Sequence, residues 1–324
     1  MAIAIWASRA IYAAARLGIA DLLAGGPKTA EAIADATGTH APSIHRLLRA
    51  LASRGLFTET APKTFALTPL GAALRTGAPG AARGAVLTLA GDWQWKAWDE
   101  FLYSLKTGKP AMDKVWNAPL FDYLVANPED GALFDEAMVG MHEAEGPAVV
   151  AVYDFSKFKS IVDLGGGTGS LLTAILRTYP QLRGIVFDLE KTMPAAERRL
   201  ADAGLRDRCD AVAGDFFKSV PADHDCYLLS HVLHDWTDEQ SIAILRNCRK
   251  AIPSDGRLLI VETVLPPGDV PHHGKLLDLL MLTVPGGLER TADEYAGLLE
   301  AAAFRLSRVI PTQTPQSIVE AMPV

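Results

Sequence analysis

The chain is predicted to be α/β: an all-helical and winged-helix N-terminal part, then a C-terminal half built on a mostly parallel sheet. Three observations carry this. From Ser160 onward, short apolar runs alternate with segments of helical period, the pattern of a parallel sheet covered on both faces. A glycine-rich stretch, Gly165-Gly166-Gly167-Thr168-Gly169, follows the first of those runs. Residues 1–75 read instead as helices plus one hairpin.

Taken in order, Met1–Ala15 is apolar but holds Arg9, and reads as an amphipathic helix rather than a signal peptide. Thr29 caps a helix to Ala36 with Ala30, Ile33 and Ala34 on one face. Ser43–Arg54 places Ile44, Leu47, Leu48 and Leu51 at helical spacing, and Gly55 ends it. Leu56–Thr58 and Thr64–Leu67 flank Ala61-Pro62-Lys63 as a hairpin. A helical middle follows, with Trp93, Trp95 and Trp98 close together and Phe134, Met138 and Met141 on one face. Then come strands at Ile161–Leu164, Gly184–Leu189, Asp210–Ala213, Cys226–Ser230, Arg257–Val264, Phe304–Val309 and Gln316–Glu320. Helices separate them at Leu171–Thr178, Pro194–Ala203, Glu239–Ala251 and Ala292–Ala303. The expected division is 1–80 winged helix, 81–155 helical linker, and 156–324 sheet domain.

Composition narrows the function classes. The 324 residues carry a net charge of −7, which gives no global push toward nucleic acid or anionic membrane. Residues 1–80 hold eight Lys and Arg against four Asp and Glu, so charge alone does not dismiss DNA binding there. Arg46 and Arg49 alternate with leucines, however, and form no dense basic face. No apolar run reaches the roughly 18–20 residues that span a bilayer. Cys209, Cys226 and Cys248 have no C-x-x-C spacing, so neither a disulfide framework nor a cysteine zinc site is expected. Reduced thiols fit a cytoplasmic protein. His272 and His273 sit in a Pro-rich loop without metal-ligand spacing, and no metal is expected.

The crevice of such a sheet lies beyond the carboxyl ends of its strands. Gly165 and Gly167 let the backbone turn sharply and approach a ligand. Asp163, inside the strand end, would repel a pyrophosphate and attract an amino-acid-like cation. Asp188 ends the second strand, with Leu189 beside it, and can accept from both ribose hydroxyls. After the third strand, Gly214-Asp215-Phe216-Phe217 offers Asp215 to an adenine amino group and Phe216 to its ring. A nicotinamide enzyme remains a rival on these residues alone.

Three blocks make the resemblance specific: Val162–Ser170, Gly214–Phe217, and His231-Val232-Leu233-His234-Asp235-Trp236. With the winged-helix start and the Gly286-Gly287-Leu288-Glu289-Arg290-Thr291 block, the chain resembles the small-molecule O-methyltransferases of the caffeate, hydroxyindole and bacterial polyketide or phenazine type. The resemblance implies a Rossmann-like, seven-stranded methyltransferase domain, S-adenosylmethionine as donor, and a homodimer through the N-terminal part. It implies that the helix bearing Phe134, Met138 and Met141 lines the acceptor pocket, with Asp235 also near the acceptor. Ser230 stands where some plant members have a Lys that contacts the adenine side, and Ser230 and Trp236 are placed with the cofactor. Relatives usually have more residues before Trp6, so a trimmed N-terminus stays open.

Methyl transfer from a sulfonium is an in-line displacement, so the protein must position the acceptor and remove its proton. A phenol titrates near about 10, and histidine is a suitable base. The resemblance assigns that role to His234, with Glu262 and Glu289 flanking the imidazole to fix its tautomer. His231 is taken as structural and Glu239 as first-turn charge. The expected reaction is methylation of a hydroxyl on an aromatic or enolic, polyketide-like small molecule. A relative that binds the donor without methylating, and a winged-helix regulator, are the alternatives.

Overall fold

The computed structural model describes residues 3–78, 82–142 and 144–324. Met1, Ala2 and the expected boundary at 80–81 lie outside them. The chain divides into two compact units, Met1–Leu102 with Ala111–Glu143, and Tyr103–Pro110 with Ala144–Val324. The helical middle therefore forms no unit of its own, and the change of unit falls at 143–144 rather than at 155. The physical reason lies in the helix Glu145–Val152, which packs on the helix Ser170–Thr178 so closely that a Cβ at Gly146 would stand 2.6 Å from Ala174.

In the first unit, Ala4–Arg16 is the expected helix. Thr29 Oγ1 accepts from Ala32 N at 3.1 Å and starts the helix Ala30–Thr37, which Gly38 ends in the left-handed region. Ala41–Ala52 follows, burying Ile44, Leu48 and Leu51. Strands β1 (Lys28–Thr29), β2 (Phe57–Ala61) and β3 (Thr64–Leu67) pair in the order β1-β3-β2, which adds one short strand to the expected hairpin. Ile33, Leu48, Leu51, Phe57 and Phe65 share one core. Of the tryptophans, Trp93 is buried and accepts from Trp116 Nε1 through its carbonyl. The helix Pro128–His142 carries Phe134 and Met138 half-buried and Met141 exposed.

In the second unit, β4 (Ser160–Leu164), β5 (Arg183–Asp188), β6 (Cys209–Ala213), β7 (Cys226–Ser230), β8 (Arg257–Leu265), β9 (Arg290–Thr291), β10 (Phe304–Pro311) and β11 (Gln316–Pro323) form one sheet. Its main path is β10-β11-β8-β7-β4-β5-β6, seven strands as implied, with the two-residue β9 added on β8. The pairs from β6 through β8 are parallel, while β11 and β10 are antiparallel additions. Fully buried Val162, Leu164, Leu229 and Ile260 face one core cluster, and Ile161, Val186, Leu228 and Val261 face the other. That two-sided burial is why these strands read as continuous apolar runs. Two features were not expected: the helix Gly274–Thr283, and the extension of β8 to Leu265. Ser230 pairs with Val261, so Glu262 stands level with the end of β7 although it does not end its own strand.

Candidate active site

The carboxyl ends of β4 and β5 are tied together directly. Gly167 N donates to Asp188 Oδ2 at 2.8 Å, and Leu189 N donates to Asp188 Oδ1 at 2.6 Å. Gly167 holds φ +57 and Gly165 φ +67, which L side chains rarely adopt. A Cβ at Gly165 would also stand 2.8 Å from Val232, and one at Gly214 would stand 2.2 Å from the Phe187 ring. Asp163 lies beneath the loop and is buried; a Cβ on Gly166 would approach its carboxyl to 2.8 Å. Burial first, then the charges of Asp188 and Glu145, push its carboxyl up to about 8. Its Oδ1 has no hydrogen-bond partner among the described residues.

Beyond β6, Asp215 Oδ1 accepts from Phe217 N at 2.9 Å and its other oxygen meets Lys218 at 3.3 Å. Phe217 and Phe216 meet the Trp236 ring edge-on at 4.8 and 6.2 Å. Phe216 and Trp236 are only partly buried, which leaves flat aromatic surface beside the glycine loop. The Ser230 hydroxyl donates to the buried Glu145 carboxylate at 2.5 Å.

His234 sits in the 3-10 turn Leu233–Asp235 that follows β7. Its Nδ1 lies 3.0 Å from Glu289 Oε1, and the two side chains are 13% and 0% exposed. Asp235 Oδ1 lies 3.7 Å from the other ring nitrogen, Nε2. Glu262 acts differently from the expected flanking role. Its Oε1 accepts from three successive backbone N–H groups, those of Val232, Leu233 and His234, at 3.0, 2.6 and 3.3 Å. The Tyr295 hydroxyl donates to its Oε2. Glu262 thus holds the turn, and Glu289 holds the ring.

The loop that brings Glu289 is itself held. Asp278 Oδ1 accepts from Glu289 N at 2.9 Å, and Leu288 N donates to His234 O at 2.8 Å. Loop and turn approach so closely that a Cβ at Gly287 would stand 1.8 Å from that carbonyl oxygen. Burial pulls the His234 imidazole down, but the Asp235 charge, the Glu289 hydrogen bond and the Glu262 charge outweigh it, raising it to about 9. Burial raises the Asp235 carboxyl.

Sequence reasoning missed several members of this arrangement. His231 takes φ +51, which breaks the strand alternation, and its ring lies 5.3 Å from that of His234. Its Nε2 is 2.6 Å from Glu145 Oε2. No local pattern marks Glu145, Asp278 or Tyr295. Arg290 lies in the Gly286–Thr291 block, but nothing in its sequence neighbourhood marks a role for it.

The loop and strand ends fit an adenosyl-methionine group. They offer a side-chain-free cradle, a carboxylate beside it, a partly buried aromatic pair, and a buried carboxyl with an unsatisfied oxygen. The comparisons agree. An O-methyltransferase domain matches residues 98–305, and an O-methyltransferase dimerisation domain matches residues 1–77. A phenazine O-methyltransferase of Lysobacter antibioticus is 50% identical over 98% of this chain and 93% of its own. A mitomycin biosynthesis 6-O-methyltransferase of Streptomyces lavendulae is 37% identical over 97% and 90%. Among solved structures, an O-methyltransferase from neocarzinostatin biosynthesis, in complex with S-adenosylmethionine and 2-hydroxy-5-methyl naphthoic acid, matches at TM-score 0.85. It is 36% identical, covering 98% of this chain and 96% of that one. No helix among the described residues is long and apolar enough to cross a membrane. The chain belongs to the S-adenosylmethionine-dependent O-methyltransferase family, and is a methyltransferase of secondary metabolism.

Proposed function

We propose that the protein methylates a hydroxyl of an aromatic or enolic small molecule, with His234 as general base and Glu289 as its partner. One observation carries the reading: the buried contact of His234 Nδ1 with Glu289 Oε1 at 3.0 Å. It directs Nδ1–H to the carboxylate and leaves Nε2 to receive a proton.

S-adenosylmethionine supplies, when bound, an electrophilic methyl on a sulfonium. Asp163, Gly165, Gly167, Asp188, Leu189, Gly214, Asp215, Phe216 and Trp236 are the residues that would hold it. Asp188 would share its carboxylate between the loop amide and a ribose. Ser230 supports the site through Glu145. Phe134, Met138 and Met141 offer apolar surface to an acceptor ring, and Asp235 a polar contact.

The acceptor hydroxyl gives its proton to His234 Nε2, and Glu289 stabilises the imidazolium that forms. In the protein alone the imidazole keeps a proton at neutral pH, because its titration is raised to about 9. A second positive charge nearby works against that proton.

The named acceptors of the relatives, phenazine and naphthoic acid, favour a fused hydroxyaromatic here. The start of the chain would serve pairing, the helical middle up to residue 143 the acceptor, and Ala144–Val324 the donor. A homodimer through the first unit is supported by the dimerisation-domain match and by exposed Ile3, Ile5 and Trp6. A cytoplasmic location is supported by three free, buried cysteines.

The test is incubation with labelled S-adenosylmethionine and a panel of hydroxyphenazines, hydroxynaphthoic acids and simple phenols, read by mass. One added methyl on a hydroxyl, lost in His234→Ala, is the expected result. Donor binding without transfer to any panel member would favour the non-methylating alternative instead.

A further inference from the structure

The turn that carries His234 exposes backbone groups on both sides, and oppositely charged buried side chains take them. On the N–H side stands Glu262, as described. On the carbonyl side stands Arg290, which is fully buried. Its Nη1 donates to Leu233 O and its Nη2 to Trp236 O, both at 2.9 Å. Nε and Nη2 both reach Asp238 Oδ1, at 3.0 and 2.9 Å, and Nη2 is 3.3 Å from Ser241 Oγ. The planar guanidinium thus fastens both ends of the turn to the start of the helix Asp238–Ala251. Only a fork of several donors can serve these acceptors at once.

Arg290 also follows Glu289 directly, and β9, which begins at Arg290, pairs it with Val264. Two consecutive residues at the start of β9 therefore supply the carboxylate that meets the imidazole, from Glu289 just before the strand, and the cation that meets the turn, from Arg290 within it. We infer that Arg290 is a positioning residue for the methyl transfer: it sets the turn and the Glu289 loop in one register, so that His234 and Glu289 meet. Removing a guanidinium that bridges buried carbonyls leaves those acceptors unsatisfied, and the turn shifts to find other donors. Displacing a catalytic group by about 1 Å costs on the order of 10²-fold in rate.

The inference rests on His234 being the base, and the experiment separates the two. Arg290→Lys keeps the charge but not the fork. Turnover, KM for the acceptor and binding of S-adenosylhomocysteine are measured in the wild-type and His234→Ala backgrounds. In the wild-type background kcat is expected to fall about 10- to 100-fold, with product affinity within about threefold. In the His234→Ala background the same change is expected to cost almost nothing, because the residue it positions is gone. The NMR titration midpoint of the His234 ring should also move in Arg290→Lys. Equal losses in both backgrounds, or a lowered Tm with kcat and the midpoint unchanged, would overturn the inference and leave the base untouched. Wild-type turnover in His234→Ala would remove the base assignment itself. If Arg290→Lys yields no folded protein, Asp238→Asn is measured in the same two backgrounds. It loosens the guanidinium from the helix start, and a fall confined to the wild-type background supports the inference; equal falls oppose it.

Discussion

The proposed donor end and the proposed catalytic turn share one sheet edge but are assembled by different means. At the donor end the defining contact, Gly167 to Asp188, spans 21 residues and joins two adjacent parallel strands. Its shape comes from backbone angles that glycine permits. At the catalytic turn, His234 and its neighbours meet groups 28, 55 and 57 residues away. Its shape comes from buried charged side chains arriving from separate elements. The first site should therefore be sensitive to single side chains as ligand contacts. The second should fail as a unit when any one of its supports moves.

The sharpest way to break that contrast is His234→Ala. It is expected to lower kcat by about 10²–10⁴-fold, the usual contribution of a general base. Donor-product affinity, read by calorimetry, should stay near wild type, since no donor contact is removed. Next comes Gly287→Ala. The added methyl would overlap the His234 carbonyl oxygen, so loop and turn must separate. A loss on the order of 10²-fold in kcat is expected, again with donor binding preserved. Asp188→Ala should do the reverse. Losing a charged acceptor weakens binding by about 1.5–3 kcal/mol, read as S-adenosylhomocysteine affinity, while kcat at saturating donor changes little. An unchanged affinity would show that the donor end does not depend on this carboxylate.

The smallest effect is a shift rather than a loss. The His234 titration is raised above its ordinary range, so the unprotonated base is depleted at low pH and recovers as pH rises. Removing a flanking negative charge lowers that titration. In Glu289→Gln the acid limb of kcat against pH is therefore expected to move to lower pH, alongside a reduced plateau. A limb that moved upward would contradict the charge pairing.

The same contrast explains what could be read from the sequence. The alternating runs after Ser160, the glycine loop and Asp188 were legible because each is a local pattern. The His234 and Glu289 positions became legible only through family blocks. Glu262 was picked out, but as a flank to the ring. Nothing in its surroundings in sequence told that three consecutive N–H groups would fold onto it. His231 reads as structural, yet its positive φ brings its ring beside that of His234. Glu145 opens a helix of ordinary composition, and only packing on Ser170–Thr178 brings it to the end of β7. Arg290 was visible as a letter in a block, yet its role depends on carbonyls some fifty residues earlier in the chain.

The most direct test of the central claim is the single-turnover methyl-transfer rate across pH, measured for the wild type and His234→Ala with donor saturating. With His234 as the base, the wild type shows an acid limb with the midpoint of the imidazole, and in the variant that limb is replaced by one at the acceptor's own ionisation. The same limb at the same midpoint in both proteins would contradict the account.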